Sequence, residues 1–404
     1  MSSILTGGRL GVLIFALRSA LFFTPLPALL RDDAQLSSTL TSYTRLKEGV
    51  YLFRNGFDPY AGGVFRQVGL LVYHALMFIA QCSANYVVPV DGLAAWCLVQ
   101  IWRIRSNTRN VAQEGLIVTV YLLHPYLLLP TLALSTSTLD NALLILGLYF
   151  AAYGKPSPAL LILAILACMS PPFALLLPPI ILLLMGSPVS SLARPISPQI
   201  DYRRMYRLTA EFLLYFSVLT LISSFVAGGW SWTYKTWGAV ILLPDLTPNP
   251  GLWWYFFTEM FDDFRPFFLM VFSVHLLIYV APISIKLRHD PLFASFILQG
   301  IISTFKSYPT LADPGLFTAM FAIFPEIVLH LRHPLPTVML HVHAALLLPL
   351  FHYLWIVQGT GNANFFYAST LVFGLANAAA IVDALRAGLR IGFGEKPGHE
   401  LIQR

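Results

Sequence analysis

The chain reads as an all-α, polytopic membrane helical bundle of about 12 spans, and three features of the sequence lead there. Charged residues make up 11% of it against 57% apolar, whereas soluble domains carry about a quarter charged. Apolar stretches recur along the whole length, interrupted by short polar, proline-rich connectors. Lys and Arg gather in alternate connectors, the asymmetry that orients membrane helices.

In chain order the candidate spans lie near 8–25, 84–102, 114–131, 140–153, 158–169, 172–186, 208–227, 266–284, 292–305, 315–331, 337–357 and 364–385. Several are shorter than the ~20 residues that cross a bilayer. Short spans are tolerated where a bundle thins the membrane or surrounds a cavity. The first has no convincing small-residue cleavage site and reads as an uncleaved anchor. The run from Val68 to Ala80 is ambiguous. Counted as a span, it places Arg103, Arg105 and Arg109 on the same side as the segment beginning at Phe57. Taken as an interfacial or re-entrant helix, it restores the positive-inside pattern, with sixteen of the 25 Lys and Arg in cytosolic loops and both termini cytosolic. Residues 1–404 then form a single polytopic domain with two large loops, about 26–83 and 228–265, on the far side. The connector from Gly186 to Arg207, rich in Pro, Ser and Arg, reads as solvated.

The net charge of +6 follows from this topology, and no basic aromatic surface points to nucleic acid. Cys82, Cys97 and Cys168 are too few and too scattered for a disulfide framework or a metal site. His341 and His343, two residues apart, point to different helix faces, unlike an i, i+4 metal pair. No cofactor is expected. Asp91, Asp140, Glu211 and Asp383 lie near span ends, where carboxylates face the bundle interior or an interface and act structurally.

The most informative stretch is Pro244-Asp-Leu-Thr-Pro-Asn-Pro-Gly-Leu-Trp-Trp-Tyr-Phe-Phe-Thr-Glu-Met-Phe261. Three prolines in seven residues stiffen its first half, and five consecutive aromatics, Trp253 to Phe257, follow. An interfacial belt explains the aromatics but not Asp245, Asn249 and Glu259 beside them.

This stretch resembles the phosphatidylinositol glycan class U family, a membrane subunit of the GPI transamidase. Three other blocks agree in the family's order: Phe57-Asp-Pro-Tyr-Ala-Gly-Gly-Val-Phe65, Phe305-Lys-Ser-Tyr-Pro-Thr310 and Gly361-Asn-Ala-Asn-Phe-Phe-Tyr-Ala368. The resemblance implies a non-catalytic subunit in the endoplasmic reticulum membrane, with both large loops lumenal. It would bind and position the GPI lipid, and help receive the preprotein C-terminal signal. The implied partner subunits are the caspase-like class K catalytic subunit, class T, class S and the GPI attachment protein. The fold also looks like the multi-spanning lipid-sugar glycosyltransferases, to which the family is considered related. That likeness supplies an enzymatic alternative, a GPI mannosyltransferase using dolichol-phosphate mannose, with Asp32 or Asp33 as metal ligand or base. A purely structural scaffold is a third reading.

Each candidate contact carries a plainer alternative. Asp58 and Tyr60, ahead of Gly62-Gly63, read first as a turn and otherwise as groups lining the lumenal mouth. Asp245, Asn249 and Glu259 suit sugar hydroxyls or the ammonium of a phosphoethanolamine, or else a helix cap or a partner subunit. Lys306, beside Tyr308, either snorkels to the interface or meets a lipid phosphate. Of Asn362 and Asn364, capping explains one; the second is better explained by a ligand, since an amide both donates and accepts.

Overall fold

A computed structural model of the chain describes residues 2–67, 84–186, 192–193, 195 and 200–394. The stretch from Val68 to Ala80, and Cys82, lie outside the described residues. All regular structure among them is helical. The chain opens with α1 (Ser2–Leu21), α2 (Leu26–Leu30) and α3 (Tyr43–Arg54), then the long α4 (Ala84–Ser106). There follow α5 (Val111–Leu123), α6 (Pro125–Leu132), α7 (Ser137–Ala152), α8 (Pro156–Met169) and α9 (Leu177–Met185). The second half holds α10 (Tyr202–Val226), α11 (Ser231–Leu242), α12 (Trp253–Thr258), α13 (Arg265–Lys286), α14 (Pro291–Phe305), α15 (Ala312–Met320), α16 (Pro325–Val328), α17 (Pro334–His352) and α18 (Ala363–Gly392).

Nearly every expected apolar stretch is a helix, but about twelve spans is not what their lengths give. Among the described residues, four helices are long and apolar enough to cross a membrane: α10, α13, α17 with its continuation to Val357, and α18. A fifth is reached if α5 and α6, bent by 48° at Pro125, count as one. Several of the others are cut short by the sequence itself. Lys155-Pro156, Ser170-Pro171-Pro172 and Phe324-Pro325 interrupt the apolar runs, since proline lacks the amide a continuing helix needs. Helix α8, at 14 residues, is ~21 Å long against a hydrocarbon core of ~30 Å. The expected span at 315–331 is broken into α15, a 3-10 turn at Phe321–Ile323 and α16.

These short helices form the interior. Helix α14 is buried from Pro291 to Thr304, as an all-round apolar helix must be, and packs on α9, α13, α15 and α18. Helices α10, α13 and α17 instead turn rows of apolar side chains outward, Leu213, Leu214, Leu221 and Phe225 among them, the surface a lipid phase would cover. Arg18, midway along the first apolar stretch, is buried against Asp91, with Thr131 Oγ1 at 2.5 Å and the Leu122 carbonyl at 2.6 Å. Asp383 accepts the backbone amides of Arg332 (2.8 Å) and His333 (2.9 Å), and Glu211 accepts the Tyr215 hydroxyl (3.1 Å). Their roles are structural.

The bundle has two distinguishable ends. At one, Arg105 closing α4 meets Asp290 (3.1 Å) ahead of α14, and also Glu326. At the other, the turn after α6 meets residues 35–45, these meet the loop after α11, and that loop with the start of α12 meets the end of α14 and the start of α18.

Candidate functional site

That second end is built around the proline-rich loop. Helix α11 stops at Leu243, which is left-handed (φ 41°), because Pro244 cannot extend it. The loop then holds itself through its own side chains. Asp245 Oδ1 accepts the Thr247 amide at 3.1 Å and also the Thr247 hydroxyl. Asn249 Oδ1 accepts the Gly251 amide at 2.8 Å, while its Nδ2 donates to the Thr247 carbonyl at 3.1 Å. A Cβ at Gly251 would lie 2.7 Å from both Asn249 Oδ1 and Pro309 Cγ, so the close approach of the two loops requires glycine there.

The neighbouring elements clamp the loop. Arg45 Nη1 donates to Asp245 Oδ2 at 3.0 Å, and the Asp245 amide donates to the Tyr308 hydroxyl at 3.2 Å. Burial raises the Asp245 carboxyl, but the hydrogen bonds from Thr247 and Arg45 outweigh it and hold the group below the usual carboxylate range. Burial pushes the Tyr308 phenol up to about 12, so it stays a neutral hydroxyl. Beyond the loop, the aromatic run folds inward as α12, with Trp254 and Phe257 buried. The Trp253 indole donates to the Phe305 carbonyl at 2.8 Å and packs on Phe272 with ring centroids 4.2 Å apart. Trp254 stacks on Trp355 and Tyr255 lies against Tyr367. These rings form a packed cluster joining α12, α13 and α18, more than a surface belt would need.

The sequence candidates divide accordingly. Asp245, Asn249 and Tyr308 come together. Lys306 does not snorkel: it is buried, its Nζ 2.5 Å from Asp313 Oδ1, and Asp313 Oδ2 also accepts the Thr310 amide at 2.8 Å. A lysine facing a carboxylate is better placed inward than at an interface. Asn362 caps α18 by accepting the Phe365 amide at 3.3 Å. Asn364, the second residue of α18 and exposed, accepts the Tyr255 hydroxyl, which ties the asparagine turn to the aromatic helix. Glu259 is exposed at the end of α12. Asp58 accepts the Tyr60 amide at 2.9 Å in a turn. Tyr60 is buried against Leu46, Val50, Phe65 and Trp232, and its hydroxyl donates to the Gln67 carbonyl at 3.2 Å. The geometry of that pair is the turn.

Sequence reasoning missed Arg45, Asp313 and the hydroxyl-rich turn Ser37-Ser38-Thr39. Asp313 carried a readable signal, an acid seven residues after the marked Lys306; Arg45, with Glu48 three residues on, carried none. Between residues 31–45 and the 247–249 turn lies a polar cavity of about 210 Å³ that Tyr308 also borders. An apolar cleft of about 430 Å³ opens among Tyr126, Phe321, Val338 and Ala380. Among the described residues, no group of three or more His, Cys, Asp or Glu stands close enough to hold a metal ion.

Membrane-length helices around a buried core, with polar loops interlocked at one end, define a polytopic membrane protein. The chain matches the family described as GPI transamidase subunit PIG-U over residues 12–373, and belongs to it. It is 33% identical over 378 residues to the Schizosaccharomyces pombe GPI transamidase component GAB1 homolog, covering 91% of this chain and 90% of that relative. It is 32% identical over 390 residues to the Saccharomyces cerevisiae GPI transamidase component GAB1, covering 95% and 94%. The human GPI-anchor transamidase component PIGU is 29% identical over 409 residues, covering 94% of this chain and 92% of the relative.

Proposed function

We propose that this chain is a non-catalytic subunit of a GPI transamidase in the endoplasmic reticulum membrane, and that it holds the GPI lipid for transfer to a preprotein carboxyl. The observation that carries this reading is the convergence of Asp245, Asn249, Tyr308 and the 362–364 turn on one rigid, proline-stiffened assembly at a single end of the bundle. The family, and the names of its relatives, supply the reaction. In acyl transfer of this kind a subunit without nucleophile or base contributes by positioning, lowering the entropic cost of bringing the amine to the acyl group. The two described cysteines, Cys97 and Cys168, are buried, a poor setting for a nucleophile.

In this reading the convergent end faces the lumen, both termini are cytosolic, and residues 1–404 act as one polytopic domain with lumenal loops at about 26–83 and 228–265. GPI and the other transamidase subunits, including the caspase-like one, are its partners. The apolar cleft beside Tyr126 and Val338 suits the hydrophobic tail of the C-terminal signal. The test is the lipid phenotype of cells lacking the chain. Complete GPI accumulating beside uncleaved preproteins is expected. Truncated, mannose-poor GPI would instead make the chain a glycosyltransferase, with Asp32 or Asp33 to be examined first. Normal GPI loading of a complex stripped of this chain would reduce it to a scaffold.

A further inference from the structure

The polar cavity contains groups that the fold leaves unused. Ser37 and Thr39 are 8% and 5% exposed, and their hydroxyls have no hydrogen-bond partner among the described residues. Both border the cavity, and the buried Arg31 Nε beside them is also without a partner. Buried polar atoms are almost always satisfied, and each exception calls for a reason. Three such atoms on one wall have a common reason if a ligand completes them.

Charge and shape narrow the ligand. Arg31 and Arg45 line the cavity, but Asp32 lines it too, and Asp245 neutralises Arg45 at 3.0 Å. The guanidinium of Arg31 is further engaged over the Tyr43 ring, 5.7 Å from its centroid. With its cations matched, the cavity has little net field to draw in a phosphate dianion. What it offers is a wall of hydroxyls that donate and accept, an acid, an arginine edge and the Tyr308 ring. That set suits the alternating O–H groups and apolar faces of a sugar or cyclitol. The volume of about 210 Å³ has room for one such ring.

We infer that this cavity binds a single neutral, hydroxyl-rich ring, with Ser37, Thr39 and Arg31 as its direct contacts. The inference rests on the glycolipid reading above and gives it a specific subsite. Such a ring could be a sugar residue or the inositol of the headgroup, and the two sources are separable by probe.

The chain is purified with the subunits it retains, in a detergent without a sugar headgroup. Saturation-transfer NMR is then run with methyl α-mannoside, myo-inositol and inorganic phosphate in turn. Transfer to one of the two rings and none to phosphate is expected. The paired substitution Ser37→Ala with Thr39→Val keeps the shape and removes both unused hydroxyls, so it should melt no lower than wild type. It should weaken ring binding about tenfold. No transfer to either ring, binding of phosphate instead, or undiminished transfer in the paired variant would overturn the inference. Co-purifying GPI is measured on the same samples. Wild-type complex that carries GPI and, once stripped of it by detergent exchange, binds neither ring condemns the subsite alone, whereas wild-type complex that carries no GPI condemns the broader reading.

Discussion

Lys306 and Asp313 form a buried ion pair, Nζ to Oδ1 at 2.5 Å, with side-chain exposures of 5% and 1%. The pair closes the turn between α14 and α15 and so fixes Tyr308, which stands between its members and receives the Asp245 amide. Removing one member strands the other as a buried charge, which costs about 3–5 kcal/mol. Lys306→Met and Asp313→Asn should therefore each lower the melting temperature and the cellular level sharply. Lys306→Met combined with Asp313→Asn, which keeps an acceptor for the Thr310 amide, should recover much of the loss. Thermal melts of the three variants in detergent check this, and a double variant no better than the singles would deny the pairing its structural weight.

The Arg45–Asp245 bridge predicts a pH dependence. Asp245 is held below the ordinary carboxylate range, so its contribution is complete above the unfolded value of about 4. It is lost as pH falls through the lowered folded value. For a half-buried pair this amounts to about 1 kcal/mol. Wild type should outlast Asp245→Asn in thermal melts at pH 7, and the gap should close in strongly acid buffer. A gap that stays constant across that range would mean the carboxylate charge is not what holds Arg45.

Orientation follows from the two ends of the bundle. Asn55 at the end of α3 and Thr247 in the proline loop belong to the end that Arg45 and Asp245 tie together, while Ile200 precedes the basic start of α10. In a background without native cysteines, Ile200→Cys should label from the cytosol. Asn55→Cys and Thr247→Cys should label only after the membrane is opened. Labelling of Asn55→Cys and Ile200→Cys from one side would reverse the assignment and make a span of the segment between Asn55 and α4.

The Tyr255–Asn364 contact predicts a graded effect at the asparagine turn. Asn364→Ser keeps a small acceptor for the tyrosine. Asn364→Lys brings bulk and a positive charge to the first turn of α18, where a cation is disfavoured by about 0.5 kcal/mol. Because the residue is exposed, assembly should persist in both. GPI co-purification should fall several-fold in Asn364→Lys and little in Asn364→Ser. An assembled Asn364→Lys complex carrying wild-type amounts of GPI would leave the turn as helix capping alone.

Much of this protein was legible from residue order. Apolar content and recurring apolar stretches determined an all-α membrane protein, and capping chemistry marked one of Asn362 and Asn364 as a cap because it acts within one helical turn; the structure shows which, Asn362. The local turn at Asp58-Pro59-Tyr60 was visible for the same reason. What sequence alone could not decide was length in three dimensions and partnership across it. Twelve apolar stretches look alike to a hydropathy window. Only packing shows that α8 and α14 are short interior helices and that α10, α13 and α17 face outward. Likewise the charge on Lys306 reads as interfacial until Asp313 is seen beside it, and Arg45 has no evident purpose until a residue 200 positions away meets it. Electrostatic and hydrogen-bond partners depend on distance through space, which falls off within a few ångströms and leaves no trace in the order of the residues.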